Sequence, residues 1–157
     1  MEKRVNFMEK GAGAIRAMYG LGTYLASSTL EESLLDLVYL RVSQINGCAY
    51  CLDMHSKDLR AAGEPEQRLY LVGAWRDTPL YSPRERAAFA FAEDLTVLGR
   101  EGISDELYRE VSGHFTDEEM VALTMAVITI NGYNRLNIAF RPEVGGYRPG
   151  QFKVKTA

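Results

Sequence analysis

Asn46-Gly47-Cys48-Ala49-Tyr50-Cys51-Leu52-Asp53-Met54-His55 holds both cysteines of the chain and one of its two histidines. Asn46-Gly47 is flanked by helical patterns rather than by β-branched alternation. It therefore reads as the end of one helix and the threshold of the next, not as a hairpin turn. On the helix that follows, spacings of three and four residues bring Cys48, Cys51 and His55 to one face. Helix rise and radius put the two cysteine Cα atoms about 5 Å apart. That separation is inside the window for a disulfide.

Upstream, Leu30 to about Ile45 is a helix, with Thr29-Leu30-Glu31-Glu32 as an expected capping box. Between Ser33 and Asn46 only Asp36 and Arg41 carry charge, so this helix is expected to be buried on most sides. A carboxylate there needs a partner or a raised pKa, which makes Asp36 a candidate functional acid, with Arg41 as its ordinary ion-pair alternative. Downstream, the motif helix runs from about Cys48 to Ala62 and stops at Gly63.

The rest of the chain repeats the helical pattern. Phe7 to about Ala26 is a segment weakened by Gly11, Gly13, Gly20 and Gly22, glycines that would also admit a second helix at close range. Glu66–Trp75 is a short helix. Ser82-Pro83-Arg84-Glu85 is a capping box with proline at the first position, opening a helix to about Leu98 that Gly99 ends. Ser104–Ser112 stops at Gly113. Thr116-Asp117-Glu118-Glu119 opens a long apolar helix reaching about Phe140. The tail 141–157 is rich in glycine and proline and is not helical. No strand pattern of useful length is visible. The chain reads as all-α, one domain spanning 1–157.

At 46% apolar and 25% charged residues, the composition is that of a soluble globule. A net charge of −3 argues against nucleic acid and anionic membrane as partners. The uncharged stretch from Met120 to Asn134 is too short to span a bilayer. Met1-Glu2-Lys3-Arg4 leads into no apolar core, so the expectation is a cytoplasmic protein without a secretory signal. In a reducing compartment a CxxC pair suggests a cycling dithiol or a metal site.

Peroxide reduction by a thiol needs a thiolate, a proton donor for the leaving oxygen and a second thiol to resolve the sulfenic acid. A helix N-terminus favours the thiolate by about 0.3–1 kcal/mol, so a proton shuttle is still required. His55 is the candidate shuttle and Asp36 the candidate acid behind it. Position on the helix favours Cys48 as the attacking sulfur; proximity to His55 favours Cys51. Against the redox reading stand a zinc site of Cys48, Cys51, His55 and Asp36, a pair of merely buried cysteines, and a core histidine. Structural zinc usually draws ligand pairs from two segments, and here there is a single CxxC. His114 reads as a loop or cap residue. Trp75, Phe89 and Phe91 read as core. Asn131, Asn134 and Asn137 would either line a pocket or an interface, or cap a crowded helix end.

The run from Leu34 to His55, with a carboxylate twelve residues before the CxxC and a histidine four residues after it, resembles the core of the alkylhydroperoxidase D-like, or carboxymuconolactone decarboxylase, family. Ser82–Leu98 and Asn131-Gly132-Tyr133-Asn134-Arg135 also resemble the later helices of its single-domain members. The resemblance implies an all-α fold assembled into trimers or hexamers. It implies a thiol-dependent peroxidase in which peroxide oxidises Cys51, Cys48 resolves it, and His55 with Asp36 relays protons. Peroxide or an organic hydroperoxide would be the substrate, a dithiol protein or small thiol the reductant, and no metal or other cofactor would be needed. Asp36 stands where the family usually has glutamate, and Tyr50 where the peroxidase has histidine between its cysteines. The decarboxylase branch generally lacks the CxxC. A lyase acting on a lactone acid and a non-catalytic or metal-binding oligomeric member are the alternatives.

Overall fold

The computed structural model describes residues 4–152, which form helices joined by short turns with no strand among them. In chain order these are α1 (Phe7–Lys10), α2 (Ala12–Ala26), α3 (Glu32–Asn46), α4 (Ala49–Ala61), α5 (Glu66–Leu71), a 3-10 turn (Val72–Asp77), α6 (Pro83–Thr96), α7 (Asp105–Ser112) and α8 (Asp117–Phe140). The expected all-α architecture is what forms.

Helix α3 is the centre of the packing and touches α4, α6 and α8. Its Leu37, Val38 and Val42 are completely shielded from solvent. Phe89, Leu123 and Leu59 bring the facing helices into the same core. Gly47 ends α3 in the left-handed conformation (φ 66°), which glycine adopts without a Cβ penalty. The chain turns there and re-enters a helix within two residues, so the end of α3 and the start of α4 are locked side by side.

Both later capping boxes form as read. Ser82 accepts from Glu85 N–H while the Glu85 carboxylate accepts from Ser82 N–H, with Pro83 in the first turn. Thr116 and Glu119 do the same for α8. The Thr29 box does not form. Helix α3 begins at Glu32 from an extended Glu31 without a side-chain cap. Leu30 is buried in the core ahead of the helix, so apolar burial sets the entry instead of the threonine hydroxyl.

Other boundaries shift as well. The segment expected as one helix from Phe7 breaks at Gly11, giving α1 and α2. Added Cβ atoms at Gly13 and Gly20 would meet nothing, so these glycines are not a close-approach face. The tight approach is on the other helix, where a Cβ at Gly132 of α8 would lie 2.9 Å from Met18 Cε of α2. The Glu66–Trp75 helix tightens into a 3-10 turn after Leu71, and α6 stops at Thr96. Trp75, Phe89 and Phe91 are core, as read.

Arg41 does not pair with Asp36. Its guanidinium lies 2.7 Å from Glu93, whose carboxylate also accepts from Trp75 Nε1 (2.8 Å) and binds Arg76. The tail returns to its own chain. Gly145 N–H and Lys57 Nζ both meet Asp53, Lys57 also reaches the Gly145 and Tyr147 carbonyls, and Tyr147 is buried. The tail beyond residue 152 lies outside the described residues. No helix among the described residues is long and apolar enough to cross a membrane.

Candidate active site

Cys48 is the N-cap of α4, and Cys51 lies in its first turn. The two sulfurs are 2.8 Å apart, both thiols are free, and Cys51 N–H donates to Cys48 Sγ at 3.4 Å. The cap position therefore supplies Cys48 with a helix amide that is otherwise unpaired. The Cys48 thiol is lowered to about 7. The main cause is the hydrogen bond from the Cys51 side chain, which outweighs burial, and the Cys51 backbone N–H and Asn134 add to it. Cys51 is pushed up, first by its hydrogen bond with Cys48, then by burial and the neighbouring charge. The pair thus holds its first negative charge on Cys48 while Cys51 keeps a proton.

Cys51 has a partner from across the fold. Asn137 Nδ2 of α8 donates to Cys51 Sγ at 3.2 Å. Asn134 Nδ2 donates to Ser43 Oγ at 3.1 Å, and Asn46 Nδ2 donates to the side-chain oxygens of Asn134 (2.8 Å) and Asn131 (2.9 Å). The three asparagines of α8 face the α3–α4 junction as a ladder, and its last rung reaches the thiol. The sequence showed their helical spacing. What they would touch depends on how α8 packs.

His55 is on the same face of α4, 6% exposed, and neither ring nitrogen has a hydrogen-bond partner among the described residues. Its ring stacks at a tilt against Tyr39, with centroids 5.2 Å apart. Burial lowers its pKa to about 3, so the imidazole is neutral. His55 makes no direct hydrogen bond to a thiol or to Asp36. Asp36 is half-buried rather than enclosed.

Two cavities meet at His55. One of about 260 Å³ is lined by His55, Asn137, Tyr39, Tyr50, Tyr133 and Phe140, among others. The other, of about 310 Å³, is lined by His55, Asp36, Asp58 and Tyr147. Asp36 and His55 thus line the same cavity. Tyr39, Tyr50 and Tyr133 are each pushed up and remain phenols. Tyr133 is raised to about 12 by burial, and Tyr39 is raised by burial and by the charge of Asp36. Tyr147 OH donates to both oxygens of Asp58 (2.9 and 2.8 Å), and Gly150 N–H also donates to Asp58. No three His, Cys, Asp or Glu side chains gather as a metal site among the described residues, so the four weighed as zinc ligands do not converge. His114 is in the turn before α8, where its carbonyl accepts from Arg84.

Comparison with known proteins is in keeping with this geometry. Residues 12–94 match the carboxymuconolactone decarboxylase family. An uncharacterised Bacillus subtilis protein, YdfG, is 38% identical over 139 residues, covering 88% of this chain and 95% of that one. A crystal structure of an Agrobacterium tumefaciens protein of unknown function, described as a putative antioxidant defence protein AhpD, superposes with a TM-score of 0.87. It is 36% identical and covers 93% of this chain and 100% of its own. An uncharacterised peroxidase-related protein from Silicibacter superposes with a TM-score of 0.74 at 27% identity, over 89% of this chain and 73% of its own.

Proposed function

The chain belongs to the carboxymuconolactone decarboxylase family, and we propose that within it this protein is a thiol-dependent peroxidase working through the Cys48/Cys51 dithiol. The observation that carries the reading is the pair of free sulfurs 2.8 Å apart at a helix N-terminus, beside a neutral histidine that opens onto two cavities. The antioxidant and peroxidase-related descriptions of the similar structures support it.

The cycle starts from the pair with one proton on Cys51. That proton passes to Cys48 across the short contact. Cys51 thiolate then attacks the terminal oxygen of ROOH: the S–O bond forms, the O–O bond breaks, and RO⁻ leaves. His55 gives its N–H to RO⁻ as its other nitrogen takes a solvent proton from the Asp36 side. A resting charge on this buried ring is costly, so the two transfers are concerted. Asn137 holds the developing charge on Cys51 through its N–H donor. Cys48 next attacks the sulfenic sulfur. The S–S bond forms, and hydroxide leaves with the Cys48 proton as water. The net change is ROOH + H⁺ + dithiol monoanion to ROH + H₂O + disulfide. A dithiol protein or small thiol in the cytoplasm returns the disulfide to the dithiol.

The lyase alternative needs a counter-charge for a carboxylate substrate, and among the described residues no Lys or Arg lines the 260 Å³ cavity. We also propose a homo-oligomer, trimer or hexamer, since Val121, Ile128 and Ile138 of α8 are all close to half exposed. Light scattering that returned a monomer mass would remove that part.

The test is turnover of hydrogen peroxide and an organic hydroperoxide with a dithiol reductant, using wild type, Cys48→Ser and Cys51→Ser. Loss of turnover in both variants is expected. Unchanged activity in both would rule the mechanism out.

A further inference from the structure

We infer that Asn46 is a positioning residue for the dithiol: through Asn134 it holds the asparagine face of α8 against Cys48 and Cys51, and that face biases the pair toward the reduced state over the disulfide. The inference rests on the dithiol of the proposed function and concerns its redox poise, whatever the oxidant.

Asn46 is the last residue of α3 and stands just ahead of Gly47-Cys48. Its side-chain amide donates to Asn134 Oδ1 at 2.8 Å and to Asn131 Oδ1 at 2.9 Å, which uses both its protons. Each acceptor is anchored again. Asn131 Oδ1 also accepts from Arg135 at 2.7 Å, and Asn131 Nδ2 donates to Thr96 Oγ1 and to the Val127 carbonyl. Asn134 is buried, and its Nδ2 donates to the hydroxyl of the buried Ser43. The Ser43 carbonyl in turn accepts from Cys48 N–H at 3.0 Å. One connected set of hydrogen bonds thus runs from α8 through the α3–α4 junction to the backbone of Cys48. A buried polar network whose members pair with one another specifies one arrangement, so it fixes the register of α8 against that junction.

Register is what the sulfurs depend on. Asn137 follows Asn134 by three residues on the same face of α8, and its Nδ2 donates to Cys51 Sγ at 3.2 Å. Asn134 helps to hold the Cys48 thiol down. The two sulfurs are 2.8 Å apart and share one proton, so a donor to either stabilises the single negative charge of the reduced pair. A disulfide sulfur carries no charge and is a weak acceptor, so the same donors add little to the oxidised state. Reduction by glutathione reads disulfide + 2 GSH to dithiol monoanion + H⁺ + GSSG. The protein S–S bond breaks, the glutathione S–S bond forms, and one of the two thiol protons stays on the protein pair. Donors that stabilise the monoanion draw this equilibrium toward the reduced protein.

The test is the equilibrium of the Cys48/Cys51 pair with glutathione buffers at neutral pH, read by mass after alkylation, in wild type, Asn46→Ala, Asn137→Ala and Thr116→Ala. Asn137→Ala removes a donor to sulfur and should shift the equilibrium toward disulfide by about 10-fold, which is about 30 mV toward more negative potential. Asn46→Ala leaves that donor in place but frees its helix face, and should shift the equilibrium the same way by about 3-fold. The pH profile of iodoacetamide alkylation should move with the potential, its inflection rising in both asparagine variants. Thr116→Ala loses the cap at the far end of α8 and should move neither readout, which separates poise from stability. Should Asn137→Ala fail to fold, Asn46→Ala carries the test alone, because Asn46 is only partly buried. An unchanged potential and inflection in Asn46→Ala, or an equal shift in Thr116→Ala, would overturn the inference and leave the peroxidase standing. A wild-type pair that glutathione disulfide does not oxidise would overturn the dithiol cycle, and this inference with it.

Discussion

Two sulfurs 2.8 Å apart at a helix N-terminus behave as one acid with two protons. The first leaves at about 7, well below an ordinary thiol, because the remaining S–H and the Cys51 amide both donate to Cys48. Alkylation by iodoacetamide should therefore show an inflection near pH 7, its rate rising as pH increases. In Cys51→Ser the serine hydroxyl is a substitute donor and the amide remains, so the inflection should move up by less than a full return to the free-thiol value. His55 gives a second prediction. Its folded pKa of about 3 is below the unfolded value of about 6.5. Between these values the unfolded chain binds a proton that the folded chain refuses, so stability falls as pH drops through that window. The slope from this one group is at most about 1.4 kcal/mol per pH unit. Urea melts between pH 6.5 and 5 should show wild type losing stability faster than His55→Gln. The His55 ring resonance should not shift over that range. At this scale the sequence was most informative. Cys48, Cys51 and His55 are related by local helical spacing, and local spacing survives folding. The Asn137–Cys51 contact joins residues 86 apart and exists only because α8 packs across the α3–α4 junction. The Asp36–His55 pair was legible as two residues on adjoining helices, and they do share a cavity. The missing hydrogen bond depends on side-chain reach, which spacing does not specify.

At the scale of elements, the caps separate local rules from tertiary ones. Ser82 and Thr116 each close a reciprocal box, so Ser82→Ala and Thr116→Ala should each cost about 1 kcal/mol in chemical denaturation. Thr29→Ala should cost only a few tenths of that, since α3 starts at Glu32 without the threonine. A loss of about 1 kcal/mol at Thr29 would mean the box forms in solution after all. All three boxes follow the same sequence rule. Leu30 decided otherwise at Thr29, because a buried leucine pinned ahead of the helix outweighs a hydroxyl cap. The return of the tail was invisible for the opposite reason. Its glycines and prolines announced an irregular segment but not its destination. Tyr147 seats its hydroxyl on Asp58, and Gly150 adds a backbone donor. Tyr147→Phe should destabilise the protein by about 1–3 kcal/mol, because Asp58 loses a buried partner. It should also speed protease cleavage between Arg141 and Phe152. An unchanged cleavage rate would show that the backbone contacts hold the strap without the phenol.

Across the whole molecule, the helical frame converts one local motif into a partitioned site. Helix α3 sets the position of α4, and α8 closes over the junction with its asparagine ladder. His55 then stands between an aromatic cavity and one bordered by Asp36 and Asp58. Under the proposed function, the hydroperoxide would enter on the aromatic side and the solvent proton on the Asp36 side. Mutating the two sides should accordingly have separable effects. Phe140→Ala should alter substrate preference, and Asp36→Asn should lower the rate for every hydroperoxide by a common factor. A substrate-selective effect of Asp36→Asn would break that division. The central claim is that Cys51 is the sulfur oxidised by peroxide and Cys48 the one that resolves it. The most direct measurement treats Cys48→Ser and Cys51→Ser with one equivalent of cumene hydroperoxide, adds dimedone, and reads the adduct by mass spectrometry. The account predicts a dimedone adduct on Cys51 in Cys48→Ser and none on Cys48 in Cys51→Ser. An adduct on Cys48 with Cys51 left unmodified would contradict it.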